Sequence, residues 1–190
     1  MLKLASKFTK FALLLIIALL VYFFFIKEPS ESTSSNESDS LVLVERVIDG
    51  DTFVLPDGMK VRLLGIDAPE RYDSGKMDND AERSGQSKET IAILGKRSTD
   101  FLKKLIENKK VRLVPEENYE DKDKYGRLLR YIYLEDGTFV NGFLVEEGYA
   151  QVYRKFDLSK KDKLLELEQD ARENKRGLWG DVDGTKQFTK

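Results

Sequence analysis

Three short runs rich in branched apolar residues, 41–48, 52–55 and 59–66, follow one another with only Asp49-Gly50-Asp51 and Pro56-Asp57-Gly58 between them. Runs of this length, bounded by Asp, Gly and Pro, read as β-strands, and links this short read as hairpin turns. A chain that opens its domain this way is committed to a sheet. Further along, Phe101, Leu102, Leu105 and Ile106 recur at helical spacing. Val111 to Val114 makes a fourth strand. Residues 127–134, ending Tyr131-Ile132-Tyr133-Leu134 and closed by Asp136-Gly137, make a fifth.

The remainder reads as helix and loop. Val140, Phe143 and Leu144 mark a short helix that Gly148 is placed to cap. Ser159 and Asp162 have the spacing of a capping box ahead of Leu164, Leu167 and Ala171, with Gly177 as the stop. Residues 71–95 are polar and rich in Asp, Glu, Ser and Gly, and read as a long loop. Asp78, Asp80, Glu82 and Glu89 in that stretch echo the acid spacing of a calcium loop, but Arg83 stands where such a loop needs Gly, so a solvated acidic loop is the expectation. Five strands with a helix between the third and fourth predict a mostly-β, α+β domain: a five-stranded OB-type barrel with about three helices.

Before this domain lie two segments of different character. Lys3, Lys7 and Lys10 precede an unbroken apolar run from Phe11 to Ile26, which reads as an N-terminal hydrophobic helix, either a signal-anchor or a signal peptide, over residues 1–27. Positive charge on its N-terminal side predicts that the rest of the chain is exported, membrane-anchored through residues 11–26 or secreted after cleavage. Residues 28–40 (EPSESTSSNESDS) are a Ser-rich, acidic, flexible linker. The domain is expected over 41–180, with a tail at 181–190. No feature calls for more than a monomer.

Composition excludes several chemistries. The 190 residues contain no Cys and no His. Disulfides, thiol catalysis, His general bases and His-held zinc are therefore out, and a bound metal must take oxygen ligands, which favours Ca²⁺ or Mg²⁺. Lys and Arg number 32 against 34 Asp and Glu, a net charge of -2. A polyanion would have to be gripped locally, not by a basic surface.

The charged residues that strand placement singles out are few. Asp51 and Asp67 each sit at a strand boundary, where a rigid sheet can converge their oxygens, although Asp-Gly-Asp alone also suits a plain turn. Arg62 lies among Val61, Leu63 and Leu64, an expensive position for a charge unless it is paired or faces a cleft. Arg127 follows a Tyr-Gly turn, and two guanidinium groups beside a cation suit phosphate oxygens, with structural ion pairing as the plainer reading. Glu70, stiffened by Pro69, is placed to orient a water.

Taken together, Ile48 to Thr52, Arg62 to Glu70 and Asp123-Lys124-Tyr125-Gly126-Arg127 resemble, in this order, the motifs of the staphylococcal nuclease family. Asn141 to Gly148 and Gly177-Leu178-Trp179 are similar to further family features, so the likeness spans about 41–180. The resemblance implies a Ca²⁺-dependent phosphodiesterase, a hydrolase cutting DNA or RNA to 3′-phosphate ends. It implies that Asp51, Asp67 and the backbone carbonyl of Ala68 hold the Ca²⁺, that Arg62 and Arg127 grip the phosphate, and that Glu70 positions or activates water. Lys124 and Tyr125 would lie near a terminal phosphate, and Tyr153 would stack on a base or sugar. Ala68 departs from the Thr usual in the family, which removes a hydroxyl and keeps the carbonyl. The competing expectation is a non-catalytic OB module for single strands or a protein partner; the retention of all five charged site residues argues against it.

Overall fold

A computed structural model describes residues 40–180. The apolar segment, the Ser-rich linker up to residue 39 and the tail at 181–190 lie outside the described residues. The described part is mixed α+β. Its strands are β1 (Leu41–Leu43), β2 (Arg46–Asp49), β3 (Thr52–Val54), β4 (Lys60–Leu63), β5 (Ile66–Asp67), β6 (Lys110–Val114), β7 (Leu128–Leu134) and β8 (Gln151–Val152). Its helices are α1 (Gly75–Ser84), α2 (Lys88–Ile106), α3 (Val140–Glu146) and α4 (Lys161–Glu173), and a 3₁₀ turn follows at Gly177–Trp179.

Six strands form one sheet in the order β1-β6-β7-β4-β3-β2, and β5 pairs separately with β8. The expected five-stranded barrel is therefore corrected to a six-stranded sheet that does not close: β1 and β2, the two edges of the ladder, do not pair with each other. They are nonetheless successive pieces of chain. Val44 N–H donates to Lys109 O on one side, and Glu45 N–H to Val54 O on the other. Two linking residues span about 10 Å at most, so the sheet must curl until its edges approach. The expected single strand over 41–48 divides at this corner because its halves serve opposite edges.

The strand–turn–strand reading of 46–63 holds in register, with Phe53 opposite both Val47 and Val61. Between β4 and β7 the pairing is parallel, Arg62 beside Leu129. Inside the curl sit Val44, Val47, Phe53, Val61, Leu63, Ile66, Val111 and Ile132, and α2 covers them with Leu102 and Ile106, all but free of solvent contact. The helical stripe seen in the sequence is thus the C-terminal end of a longer helix. Removing the side chain of Leu102 would cost about 2–5 kcal/mol, the usual penalty for a buried Leu to Ala.

Three further expectations change. Residues 71–95 are not a loop: they form α1 and the first turns of α2. Ser74 caps α1 by accepting from Met77 N–H at 3.2 Å, and Ser87 caps α2 by accepting from Thr90 N–H at 3.2 Å. Polar composition concealed helices whose polar faces meet water and whose starts are marked only by serines. The capping box at Ser159 does not form: α4 starts after Lys160 without a side-chain cap, and the Ser159 hydroxyl bonds Glu116 at 2.9 Å. Among the described residues the α-helices number four, against about three expected. Gly148 does follow α3 in the left-handed region, φ 71°, as expected. Among the described residues no helix is long and apolar enough to cross a membrane.

Candidate active site

Asp51 ends the turn between β2 and β3 and is only 6% exposed. Its Oδ2 accepts from Ala68 N–H at 2.9 Å and pairs with Arg62 Nη1, while its Oδ1 accepts from Thr52 Oγ1 at 3.0 Å. Arg62 projects from β4 and also reaches Asp67 Oδ1 at 2.9 Å and Ile66 O at 3.2 Å through Nη2. The arginine stands between the two aspartates, which is how the sheet tolerates its charge. Burial pulls the Arg62 guanidinium below its ordinary value, opposed mainly by Asp67. Next to it, burial pushes the Asp49 carboxyl up against the pull of Arg62.

Two close approaches set this geometry. A Cβ on Gly50 would lie 2.6 Å from Ala68 Cβ and 2.8 Å from Ser98 Cβ, so only glycine lets the Asp-Gly-Asp turn press on Ala68 and α2. A Cβ on Gly95 of α2 would lie 2.5 Å from Glu70 O. The helix therefore touches the backbone at Glu70 and fixes where its carboxylate emerges.

Arg127 arrives just ahead of β7, the parallel neighbour of β4. Asp123 and Gly126 form a tight turn, Gly126 N–H donating to Asp123 O at 2.9 Å. Asp123 Oδ1 accepts from Tyr125 N–H at 2.9 Å and Arg127 N–H at 3.0 Å, and its Oδ2 accepts from Arg127 Nε at 2.7 Å. Thus anchored, Arg127 Nη1 reaches Thr52 Oγ1 at 3.5 Å. Burial alone would raise the Asp123 carboxyl, but these donors outweigh it and hold it below its ordinary value.

Lys76, in the first turn of α1, completes the set. Its Nζ lies 2.8 Å from Ala68 O, 3.1 Å from Glu70 Oε1 and 3.2 Å from Asp67 Oδ1. One continuous polar network thus runs Arg127–Thr52–Asp51–Arg62–Asp67–Lys76–Glu70. It joins every residue singled out in the sequence for catalysis or metal binding.

Arg62, Asp67, Lys76 and Arg127 of this network line an open cleft of about 1340 Å³, with Lys124, Tyr125 and Tyr153 among others, while Asp51, Thr52 and Glu70 stand outside its lining. Asp51 and Ala68 are buried behind it. Basic residues in the lining (Arg62, Lys76, Lys124, Arg127, Arg154, Lys155, Arg172) outnumber acidic ones (Asp67, Glu120, Asp123, Glu168), so the cleft is locally positive on a chain of net charge -2. Tyr125 is 71% exposed, with Lys124 Nζ 4.9 Å and the Arg127 guanidinium 5.5 Å from its ring centre. Tyr153 lies 5.6 Å from Phe156, which meets Tyr119 edge-on at 5.6 Å.

Sequence reasoning missed Lys76 as part of the site, and Phe156 and Tyr119 as its aromatic wall; it placed Thr52 and Asp123 within the motifs without giving them a role. The Asp-x-x-Gly turn was a signal for Asp123. Lys76 had none, being one lysine in a segment that reads as loop. The acids at 78, 80, 82 and 89 do not form a calcium loop: they lie on α1 and α2, Asp80 is buried, and Asp78 pairs with Lys88. Among the described residues no three acidic side chains gather as a metal cluster.

The fold and the cleft define a mixed α+β protein whose curled sheet carries an arginine–carboxylate network on the floor of a basic groove. The chain belongs to the staphylococcal nuclease homologue family, which matches residues 60–181. It is 38% identical over 144 residues to an uncharacterized endonuclease of Escherichia coli, covering 74% of this chain and 77% of that protein. It is 33% identical over 156 residues to the thermonuclease of Staphylococcus intermedius, covering 80% and 83%. Endonuclease YhcR of Bacillus subtilis is 29% identical over 164 residues, 83% of this chain but 13% of that longer protein.

Proposed function

We propose that this chain is a divalent-cation-dependent, specifically Ca²⁺-dependent, nuclease that hydrolyses DNA or RNA phosphodiesters to 3′-phosphate ends. The observation that carries the reading is the single polar network that joins two aspartates, two arginines and Glu70 beneath a basic cleft; nuclease-named relatives over most of the chain support it. The oxygens suit a hard cation: Asp67 Oδ1, Ala68 O and Glu70 Oε1 already converge on one positive charge, the Lys76 ammonium. Asp51, Asp67 and the Ala68 carbonyl would hold the ion, which when bound supplies charge neutralisation at the phosphate.

The chain's own residues do the rest. Arg62 and Arg127 bind phosphate oxygens and stabilise the charge that builds as phosphorus becomes five-coordinate. Asp123 keeps Arg127 aimed at the cleft. Glu70 orients the attacking water and takes its proton as the new P–O bond forms. The P–O5′ bond then breaks, O5′ takes a proton from solvent and leaves as a hydroxyl, Glu70 gives its proton back to solvent, and the phosphate stays on the 3′ side. Lys124 and Tyr125 steady the terminal phosphate, and Tyr153, with Phe156 beside it, offers a face for a base.

The N-terminal apolar run supports a further part of the proposal, that the domain acts outside the cell, tethered through residues 11–26 or released by cleavage. Protease treatment of intact cells should then release the domain. The central test is incubation of the full chain with DNA and with RNA, in Ca²⁺ and in chelator. Ca²⁺-dependent cleavage with 3′-phosphate ends is the expected result; equal or absent cleavage in both conditions overturns the reading.

A further inference from the structure

Lys76 is in an electrostatically poor place. The N-terminal turn of a helix carries partial positive charge and favours acids, yet α1 presents a lysine there. What compensates is outside the helix. An ammonium has three N–H donors, and Lys76 Nζ meets three oxygens, Ala68 O at 2.8 Å, Glu70 Oε1 at 3.1 Å and Asp67 Oδ1 at 3.2 Å. Two of these belong to the groups assigned above to the cation and the third to the residue assigned to the water. A divalent ion and an ammonium are both compact, strongly hydrated cations that seek such oxygens. They cannot hold them together, because two positive charges at that separation repel strongly.

We propose that Lys76 is a built-in competitor for the cation position: the chain's own ammonium holds Asp67, Ala68 and Glu70 until a divalent ion displaces it. It thereby sets the ion concentration at which the site loads. The inference rests on the cation-dependent reading above.

Displacement is physically accessible. The Lys76 side chain is 34% exposed and borders the open cleft, so its flexible stem can swing into solvent without moving the helix. α1 is held independently by Met77, 2% exposed, and by Lys88 of α2, which pairs with Asp73 and Asp78. The lysine sits in the segment between Glu70 and the core-covering part of α2, so the competitor arrives on its own small helix and not on the sheet that carries the ligands.

Two measurements on the full chain test this. Calorimetric titration with Ca²⁺ compares the parent with Lys76→Met, which keeps the apolar stem and removes the charge. The variant is expected to bind about tenfold tighter or more, the scale of one lost charge-assisted contact. Amine-acylation footprinting of the parent, which needs no variant to fold, is expected to show several-fold faster labelling of Lys76 when Ca²⁺ is added, with Lys88 unchanged. Unchanged affinity in Lys76→Met overturns the proposal, and so does Lys76 labelling indifferent to Ca²⁺, because tighter binding alone would be a remote charge effect. In either of those cases Ca²⁺ still binds and the nuclease reading stands. If neither protein binds Ca²⁺ up to about 10 mM, above the range of weak extracellular calcium modules, the cation reading itself fails and takes the inference with it.

Discussion

Arg62 and Arg127 are held in different ways. Arg62 is locked between Asp51 and Asp67, whereas Arg127 leans on a single carboxylate, Asp123, with Thr52 beyond. Replacing Arg127 with Gly removes a donor aimed at developing charge and is expected to lower kcat by about 10²–10³-fold. Glu70→Gln, which keeps shape and loses the proton acceptor, is expected to lower it by about 10²–10⁴-fold. Steady-state cleavage rates check both, and rates equal to the parent's would refute the assigned roles. Asp123 also links the site to pH. Its carboxyl is held low in the folded chain, so it contributes stability above the unfolded carboxylate value of about 3.9. That contribution is lost as pH falls through this value and then through the lower folded one. Asp123→Asn is therefore expected to flatten the fall of Tm below about pH 4, measured by thermal melts across pH.

At the scale of elements, the parallel pair β4–β7 is held at its end by one residue of α3. Asn141 is fully buried; its Oδ1 accepts from Ile132 N–H at 2.9 Å, and its Nδ2 donates to Leu64 O at 2.9 Å and Arg130 O at 3.3 Å. Asn141→Ala takes this partner from Ile132 N–H and Leu64 O in the core, while Arg130 O keeps Leu64 N–H at 2.9 Å; the expected loss is about 2–4 kcal/mol by denaturant unfolding. The junction of β5 and α2 is different, because there the demand is for space. Gly95→Ala would drive a methyl into the Glu70 backbone. The expected cost is about 1–3 kcal/mol from overpacking, together with a fall in rate of about 10²-fold from misplacing Glu70 by roughly 1 Å. A stability loss without the rate loss would show that α2 yields and Glu70 does not.

For the molecule as a whole, charge is arranged and not accumulated. Net charge is -2, yet the cleft lining is basic. Substrate binding should therefore weaken with salt through the few phosphates the cleft engages. Lys124→Ala and Lys155→Ala are each expected to make the log KM–log salt plot shallower by up to about one phosphate's worth of slope. Kinetics at several salt concentrations measure it, and an unchanged slope would place the polyanion elsewhere. The curl of the sheet makes this arrangement. It brings Asp51 from a β2–β3 turn, Arg62 from β4 and Arg127 from the start of β7 to one floor, though 76 positions separate the first from the last.

Much of this was legible before folding. Alternating strands and Asp-Gly turns over 46–63 are written in residues whose preferences are local, and so were the buried C-terminal end of α2 and the Gly148 cap. Exclusion of thiol, imidazole and disulfide chemistry follows from composition alone, because no fold supplies a missing side chain. Division of 41–48 into two strands was not legible, since it depends on which distant strand each half meets. The helices in 71–95 were hidden because polar residues with serine caps resemble a loop until a core is there to receive Met77, Ile91 and Leu94. Lys76 was beyond sequence reasoning altogether: any lysine has the charge, but only the docking of α1 beside β5 puts its ammonium within 3.2 Å of three particular oxygens. The sequence by itself determined which charged groups are present and most of the local elements that carry them. Only the tertiary structure decided which charges neutralise which, because electrostatic pairing depends on distances of a few ångströms that no spacing along the chain specifies.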